Sequence, residues 1–535
     1  MNKSKREELI FWLLILFLTA FPLRDGFVHG AIVGSGPDVV STLWGMWWFQ
    51  QERAPLGGES FLFNYPYGGI GNILSPSSSV LWAVLEPLVG IGRAAAAAAW
   101  LQIVGFCLGV YLLTGSLIQH QYARWAAVCV PLVGRYFVFG MGEGSLVAVA
   151  AIPLPLGLWA LFETLRKTSW PFAAFAAFCM VWMGVENPYL APILPCVALY
   201  LMCTRAGAKS QVGAAVLVGS VGILWVASIL GKGANPEYPR ESANQLVEMF
   251  SRQWSVVDLP WARLSLTEIF WPETVKWTLS SDSAVEAGGG RYLGCSVLAL
   301  SFFALALPQA RIWFVFGLIG WLLSLGSLCG GFAVPFLFLN NLMDHVARPL
   351  TQPTRFLIVV VLSQAVLIGF LVEELIRSKF PVPYWLPVLF LIFTLDAVLL
   401  GGLQLKPPST ALPQYDCNQK LDDPTLVWPA DATDGEKGRA QLYQMLHGAP
   451  AAHTGIASWG LLSGRVEPSL RSAGFRVGAS RVQLQILAKQ GYRWLIVEKE
   501  TGFPSVFLRP VESCGAVDLY DLSALRGPLR AVEGR

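Results

Sequence analysis

The feature that most constrains this chain is a series of apolar windows, each long enough to cross a bilayer, separated by short connections in which Arg and Lys collect. A hydrocarbon core about 30 Å thick takes about 20 apolar residues in helical form, and backbone polar groups in lipid must be satisfied within the segment. The windows are 9–24, 94–117, 124–141, 146–164, 169–185, 188–204, 211–230, 293–308, 312–330, 355–376 and 382–402, about eleven in all. With 54% hydrophobic and 14% charged residues and a mean hydropathy of +0.53, against about a quarter charged in soluble domains, the chain reads as an integral membrane protein. A net charge of +3 with no basic stripe gives nucleic acid no footing as a partner.

Direction follows from the cations. "MNKSKREELIFWLLILFLTAFPL" has a basic start and an apolar core but no small-residue cleavage site, so it reads as a retained first span with Lys3, Lys5 and Arg6 in the cytoplasm. Every second span then ends in a cytoplasmic connection, and these read "QHQYAR", "RKTSW", "RAGAK", "PQAR" and "RSK", each with Arg or Lys. Counting 76–92, "PSSSVLWAVLEPLVGIG", as a span would put the first two outside, so this stretch is expected to be a re-entrant or interfacial helix. The outer loops 25–93 and 231–292 are long. From Gln404 a Pro-rich linker leads into residues of soluble character, in which "TLVWPA", "YRWLIVEKE" and "SVFLRPV" read as strands and "GEKGRAQLYQMLHG" and "SRVQLQILAKQG" as helices.

The expectation is therefore an α-helical polytopic membrane protein with its N-terminus in the cytoplasm. Residues 1–403 form the transmembrane domain and 404–535 a small periplasmic α/β domain. Cys417 and Cys514 are the only cysteines of that tail, and a disulfide between them is permitted outside the cytoplasm. His447 and His453 read as structural, and no C-x-x-C or histidine cluster marks a metal site.

Among the outer-facing acids, Asp38 follows Ser35, Gly36 and Pro37, a helix-start signal, and apolar or aromatic residues then recur at 40, 43, 44, 47 and 48. This predicts an amphipathic helix along the outer surface, with tryptophans at headgroup depth. Asp38 either complements the positive end of that helix or serves as a base at the lipid–water boundary, where partial burial raises a carboxylate toward the range useful for proton abstraction. Glu143, in "FVFGMGEGSLV", and Glu186, in "MGVENPYLAP", sit in short outer connections, each either a hydrated loop acid or a second acid facing a shared cavity. Arg135 lies inside an apolar window, where an arginine costs about 2.5 to 3.5 kcal/mol on the insertion scale. It either snorkels to headgroups or meets a carboxylate or the phosphate of a lipid-linked ligand. Arg291 with Tyr292, and Arg348 with Arg355, stand at the outer starts of two further spans, as interfacial anchors or as part of a cationic rim.

The order of "PDVVSTLWGMWW", "FNYPYGG", "GMGEGSLVAVAAIPLPL", "ENPY", "GGGRYLG", "RPLTQPTRF" and, in the tail, "LVWPA" with "QLYQMLHGAPAAHTG" resembles bacterial polytopic GT-C glycosyltransferases that carry a C-terminal extracytoplasmic domain. The resemblance implies a polyprenyl-phosphate sugar donor, a glycan, lipid or protein acceptor and inverting transfer at the periplasmic face. It implies that Asp38 is the catalytic base of the first outer loop, that Tyr65 and Tyr67 line that loop, and that Arg135, Arg291 and Arg355 face the donor phosphate. Some relatives hold a divalent metal on a DxD acid pair; "GPDVV" stands in its place, so no metal ligand is assigned. Two other classes remain open on the sequence. A transporter or flippase of lipid-linked saccharides would need ionisable residues at mid-span, of which Asp396 is one of few. A non-catalytic membrane protein would bind glycan through its tail.

Overall fold

A computed structural model describes residues 3–34, 37–52, 58–60, 69–71, 76–133, 150–187, 190–204, 209–233, 295–324, 353–380, 382–396, 409–410, 412–413, 415, 417, 421–428, 434–450, 481–489, 491–499 and 508–526. The membrane part is built from α1 (Lys3–Ala20), α2 (Arg24–His29), α3 (Pro37–Glu52), α4 (Pro76–Val89), α5 (Ile91–Leu117), α6 (Gln121–Val133), α7 (Pro153–Lys167), α8 (Trp170–Glu186), α9 (Ile193–Thr204), α10 (Lys209–Gly233), α11 (Cys295–Phe303), α12 (Arg311–Ser324), α13 (Leu357–Arg377) and α14 (Val382–Leu395). Among the described residues, three segments are long and apolar enough to cross a membrane: Lys5–His29, Ile91–Leu117 and Leu357–Arg377. Trp170–Glu186, Ile193–Cys203, Lys209–Leu224 and Ser296–Ala306 are shorter apolar helices. α4 is 14 residues long, or about 21 Å at the α-helical rise.

Helix α13 is the hub. Its residues from Leu357 to Phe370 are all buried, and it packs against α6 on one side and α12 on the other. Small residues allow the approach: a Cβ on Gly320 of α12 would lie 2.8 Å from the Cβ of Val359. Without a solvent-driven hydrophobic effect in lipid, such close van der Waals packing holds helices together. In α5, "AAAAAA" combines the residue of highest helix propensity with minimal girth, and a Cβ on Gly92 would meet the Gly30 carbonyl oxygen at 1.8 Å. Gly30, at φ +67°, ends α2 in the left-handed cap conformation.

One end of this bundle is stitched by charge. Glu163 at the end of α7 is buried, pairs with Arg166 and Lys167 at 2.8 and 2.7 Å, and accepts from Ser116 Oγ of α5 at 2.8 Å. Glu373 near the end of α13 accepts from the Gln119 amide and pairs with Arg377. Arg124 donates to the Ile118 and Gln119 carbonyls, so the break between α5 and α6 is held from both sides. Tyr111 and Tyr122 donate to Glu8 and Glu7 of α1 at the same end.

In the tail, β5 (Thr425–Trp428), β6 (Trp494–Glu498), β7 (Glu512–Cys514) and β8 (Val517–Asp521) form one sheet of order β5-β6-β8-β7. The pair β5·β6 is parallel and the others antiparallel. Side chains alternate across it. Leu426, Leu495, Val497 and Tyr520 face Leu484 and Leu487 of α16 (Arg481–Lys489), while Val427, Ile496, Val517 and Leu519 pack with Tyr443 of α15 (Asp434–His447). Cys417 and Cys514 are joined in a disulfide. The strand expected over "SVFLRPV" is not found among its described residues: 508–510 are irregular, and the strands instead flank the tight turn at Gly515, φ +56°. Elsewhere, β2 (Gly58–Ser60) pairs with β3 (Gly69–Gly71) between α3 and α4.

The expectation for α3 needs correcting. Trp44, Trp47 and Trp48 are 1%, 4% and 0% exposed. They lie in a core with Val39, Val40, Leu43 and Met46 of their own helix, Trp82 of α4, Ala94 of α5, and Leu442 and Met445 of α15. The indole face therefore meets protein rather than headgroups, because α15 lies over α3 where the lipid surface was expected. A two-strand pairing of β1 (Ile32–Val33) with β4 (Ser409–Thr410) draws the tail onto this loop.

Candidate active site

Asp38 is the second residue of α3, where a carboxylate meets the positive end of a helix. The helix beneath it is held on several sides. Gln50 Nε2 donates to Glu86 Oε2 of α4 at 3.1 Å, and Trp44 Nε1 donates to Gln444 Oε1 of α15 at 2.8 Å in a fully buried contact. Pro at the first helical position fits the helix start, and with no further Pro the helix continues to Glu52.

Glu186 is the last residue of α8 and is 1% exposed. Its carboxylate accepts from the Ser77 amide at 3.1 Å, Ser77 Oγ at 2.9 Å and Trp182 Nε1 at 3.2 Å. Ser77 is the second residue of α4, so Glu186 acts as a cap borrowed from another helix, satisfying an amide that α4 leaves unpaired and complementing its dipole. Gln102 of α5 donates to Ser77 Oγ at 2.6 Å and to Ser78 Oγ at 2.9 Å. Glu186 is thus no hydrated loop acid: it is buried and three donors meet it, because α4 turns its open N-terminus toward the end of α8.

The level of this cluster follows from helical rise. Gln102 stands eleven residues into α5, roughly 16 Å from its start. The start of α7 meets α5 close by, with Ile152 against Gly105 and Pro155 against Gly109. Hence α7 begins and α8 ends near one level, while α5 with α4 against it runs on by roughly 16 Å. Among the described residues this side of the bundle is stepped, and Glu186 lies at the foot of the step, opposite the charged end.

A second borrowed cap repeats the pattern. Asp396, 7% exposed just beyond α14, accepts from the Ser296 amide at 2.6 Å and from Ser296 Oγ, at the start of α11. The acid that a transport pathway would use is therefore engaged in capping. Arg355 lies half-buried in the 3-10 turn Pro353–Phe356 that leads into α13. Arg135, Glu143, Arg291, Tyr65 and Tyr67 lie outside the described residues, as does the side chain of Asp38. Ser77, Ser78, Gln102, Trp182 and Gln444 were not singled out by sequence. Available signals were the serine run of "PSSSV" before an apolar helix and the lone amide in "AAAAAAWLQIVG". Among the described residues one group, Cys417, Glu512 and Cys514, has metal-ligand proximity, but its two sulfurs are joined to each other.

No family model matches the sequence, and no curated protein matches it. Solved structures do match. Arabinofuranosyltransferase AftD from Mycobacteria is 15% identical with a TM-score of 0.53, over 98% of this chain and 40% of that one. A mutant of AftD is 17% identical with a TM-score of 0.53, over 98% of this chain and 42% of that one. The fold is GT-C-like. Archaeal oligosaccharyltransferase AglB from Archaeoglobus fulgidus gives 12% identity over 99% of this chain and 76% of that one, at a TM-score of 0.46, below the level at which folds are equated. The chain spans about two fifths of the length of AftD.

Proposed function

We propose that this protein is a membrane glycosyltransferase that moves a sugar from a polyprenyl-phosphate donor to an acceptor hydroxyl at the periplasmic face. The observation that carries the reading is a GT-C-like fold over 98% of the chain with Asp38 in the first turn of α3. Asp38 takes the proton of the acceptor hydroxyl while its oxygen bonds the anomeric carbon. The bond from that carbon to the phosphate oxygen breaks with its electron pair, inverting the centre. Arg135, Arg291 and Arg355 offset the charge that grows on the departing phosphate, and preorganised cations in a water-poor site are among the largest catalytic terms. Tyr65 and Tyr67 line the acceptor side. About eleven spans carry the site, with the N-terminus and the charged end of the bundle in the cytoplasm, consistent with the Arg and Lys gathered there. The stepped end and the tail then face the periplasm, where the Cys417–Cys514 disulfide persists.

The test is transfer of labelled sugar from a polyprenyl-phosphate donor by purified wild-type protein and Asp38→Asn in lipid nanodiscs. Asp38→Asn is expected to insert and fold normally and to lose transfer. Normal turnover by a folded Asp38→Asn protein overturns the assignment.

A further inference from the structure

The contact between α3 and the tail has a form that ordinary packing does not require. Gln444 is 0% exposed. Its Oε1 accepts from Trp44 Nε1 at 2.8 Å, while its Nε2 donates to the Ala449 carbonyl at 3.1 Å. Ala449 N in turn donates to His447 Nδ1 at 3.0 Å. The other nitrogen of His447 lies 3.4 Å from Thr425 Oγ1, which donates to the Pro450 carbonyl. The turn that ends α15 is thus fixed to strand β5, and one amide side chain carries that fixed point across to α3. Four hundred residues separate the two partners. Around the bond, Leu442 and Met445 exclude water by completing the apolar core of α3. An isolated apolar contact lets a helix slide or roll, whereas a buried hydrogen bond with both partners committed fixes its register.

We propose that Gln444 is a positioning residue for the transfer reaction: through Trp44 it sets the rotation and depth of α3, and so where Asp38 stands relative to the acceptor hydroxyl. The tail is on this view a working part of the active site rather than a separate binding module. The inference rests on the reading of Asp38 as the base.

The experiment compares Asp38→Asn, Gln444→Leu, Trp44→Phe and Gln444→Glu in the full chain in nanodiscs, with the transfer assay corrected for folded protein. Gln444→Leu keeps the bulk and loses both bonds; Trp44→Phe removes the donor from the other side and stands in should Gln444→Leu fail to fold. Each is expected to lower kcat by about 10- to 100-fold at unchanged donor KM, the range that a misplacement of about 1 Å carries. Gln444→Glu is the diagnostic variant. Burial raises a carboxyl pKa, and the protonated acid can again accept from Trp44 and donate to Ala449, so its kcat should recover toward the wild-type value as pH falls. A structural role alone would move only the folded fraction with pH and leave kcat per folded protein at the wild-type value throughout. Inactive Asp38→Asn beside Gln444→Leu and Trp44→Phe at wild-type kcat overturns the coupling alone. Full activity in Asp38→Asn overturns the base assignment, and the coupling to it with it.

Discussion

The two roles open to Glu186, cap or second acid, separate in magnitude. Replacing it by alanine leaves three donors facing a gap: the Ser77 amide, Ser77 Oγ and Trp182 Nε1. Each unmet buried donor costs roughly 1 to 3 kcal/mol, and loss of charge at the start of α4 adds about 0.3 to 1 kcal/mol. Ser77 can turn its hydroxyl elsewhere, so Glu186→Ala is expected to destabilise by about 3 to 5 kcal/mol. Glutamine is different. Its oxygen can take both the Ser77 amide and Trp182, and its nitrogen can donate to Ser77 Oγ, a hydroxyl with a second lone pair that already receives Gln102. Only the ionic excess is lost, about 1 to 2 kcal/mol. Thermal unfolding in nanodiscs should therefore rank wild type above Glu186→Gln above Glu186→Ala. Transfer by Glu186→Gln at a temperature where it is folded should stay within about tenfold of wild type, since no proton passes through a cap; a general acid or base would typically contribute about 100- to 10,000-fold. An unshifted unfolding temperature in Glu186→Ala, with transfer abolished in Glu186→Gln, would refute the capping argument.

Two further outcomes follow from the tail. Burial pushes the pKa of His447 down to about 3, against an ordinary value near 6.5. Between those values the unfolded ring takes a proton that the folded one refuses, so stability falls as pH drops below about 6.5, by roughly 1 kcal/mol per unit. Denaturation of wild type and His447→Gln between pH 7 and pH 5 should show the steeper dependence in wild type; equal slopes would count against it. The Cys417–Cys514 bond closes a sequence separation of 97 residues, and its removal in Cys514→Ser is expected to cost about 2 to 4 kcal/mol. Reducing agent should lower the unfolding temperature of wild type and leave that of Cys514→Ser unmoved.

What the sequence could and could not tell depends on how far away the partner of each residue lies. The first helix, β5, β6, α15 and α16 were legible because period and end signals are local. The aromatic and β-branched part of the third expected strand, 505–507, lies outside the described residues, and its end at 508–510 is irregular. The strands formed instead on either side of Gly515, where the chain can turn. The helix beginning at Pro37 was legible as a helix, but its period cannot say whether lipid or protein covers the apolar face, since both reward the same residues. The answer lay in Leu442 and Met445. Glu186 was legible as a helix end, from "ENP", yet its partner Ser77 is 109 residues upstream. A carboxylate in a short connection looks the same whether it caps, titrates or is simply wet.

The pairing of Ile32 and Val33 with Thr410 and Ser409 bears on how this protein is made. The ribosome makes α3 well before α15 and the strand that pairs with Ile32 and Val33, which follow some 370 to 400 residues later. At synthesis rates of about 5 to 20 residues per second, the tryptophans of α3 meet Trp82 and Ala94 within seconds but wait for tens of seconds for Leu442 and Met445. The apolar face of α3 is therefore closed only once α15 has been made, which separates the folding of this helix from the completion of its core.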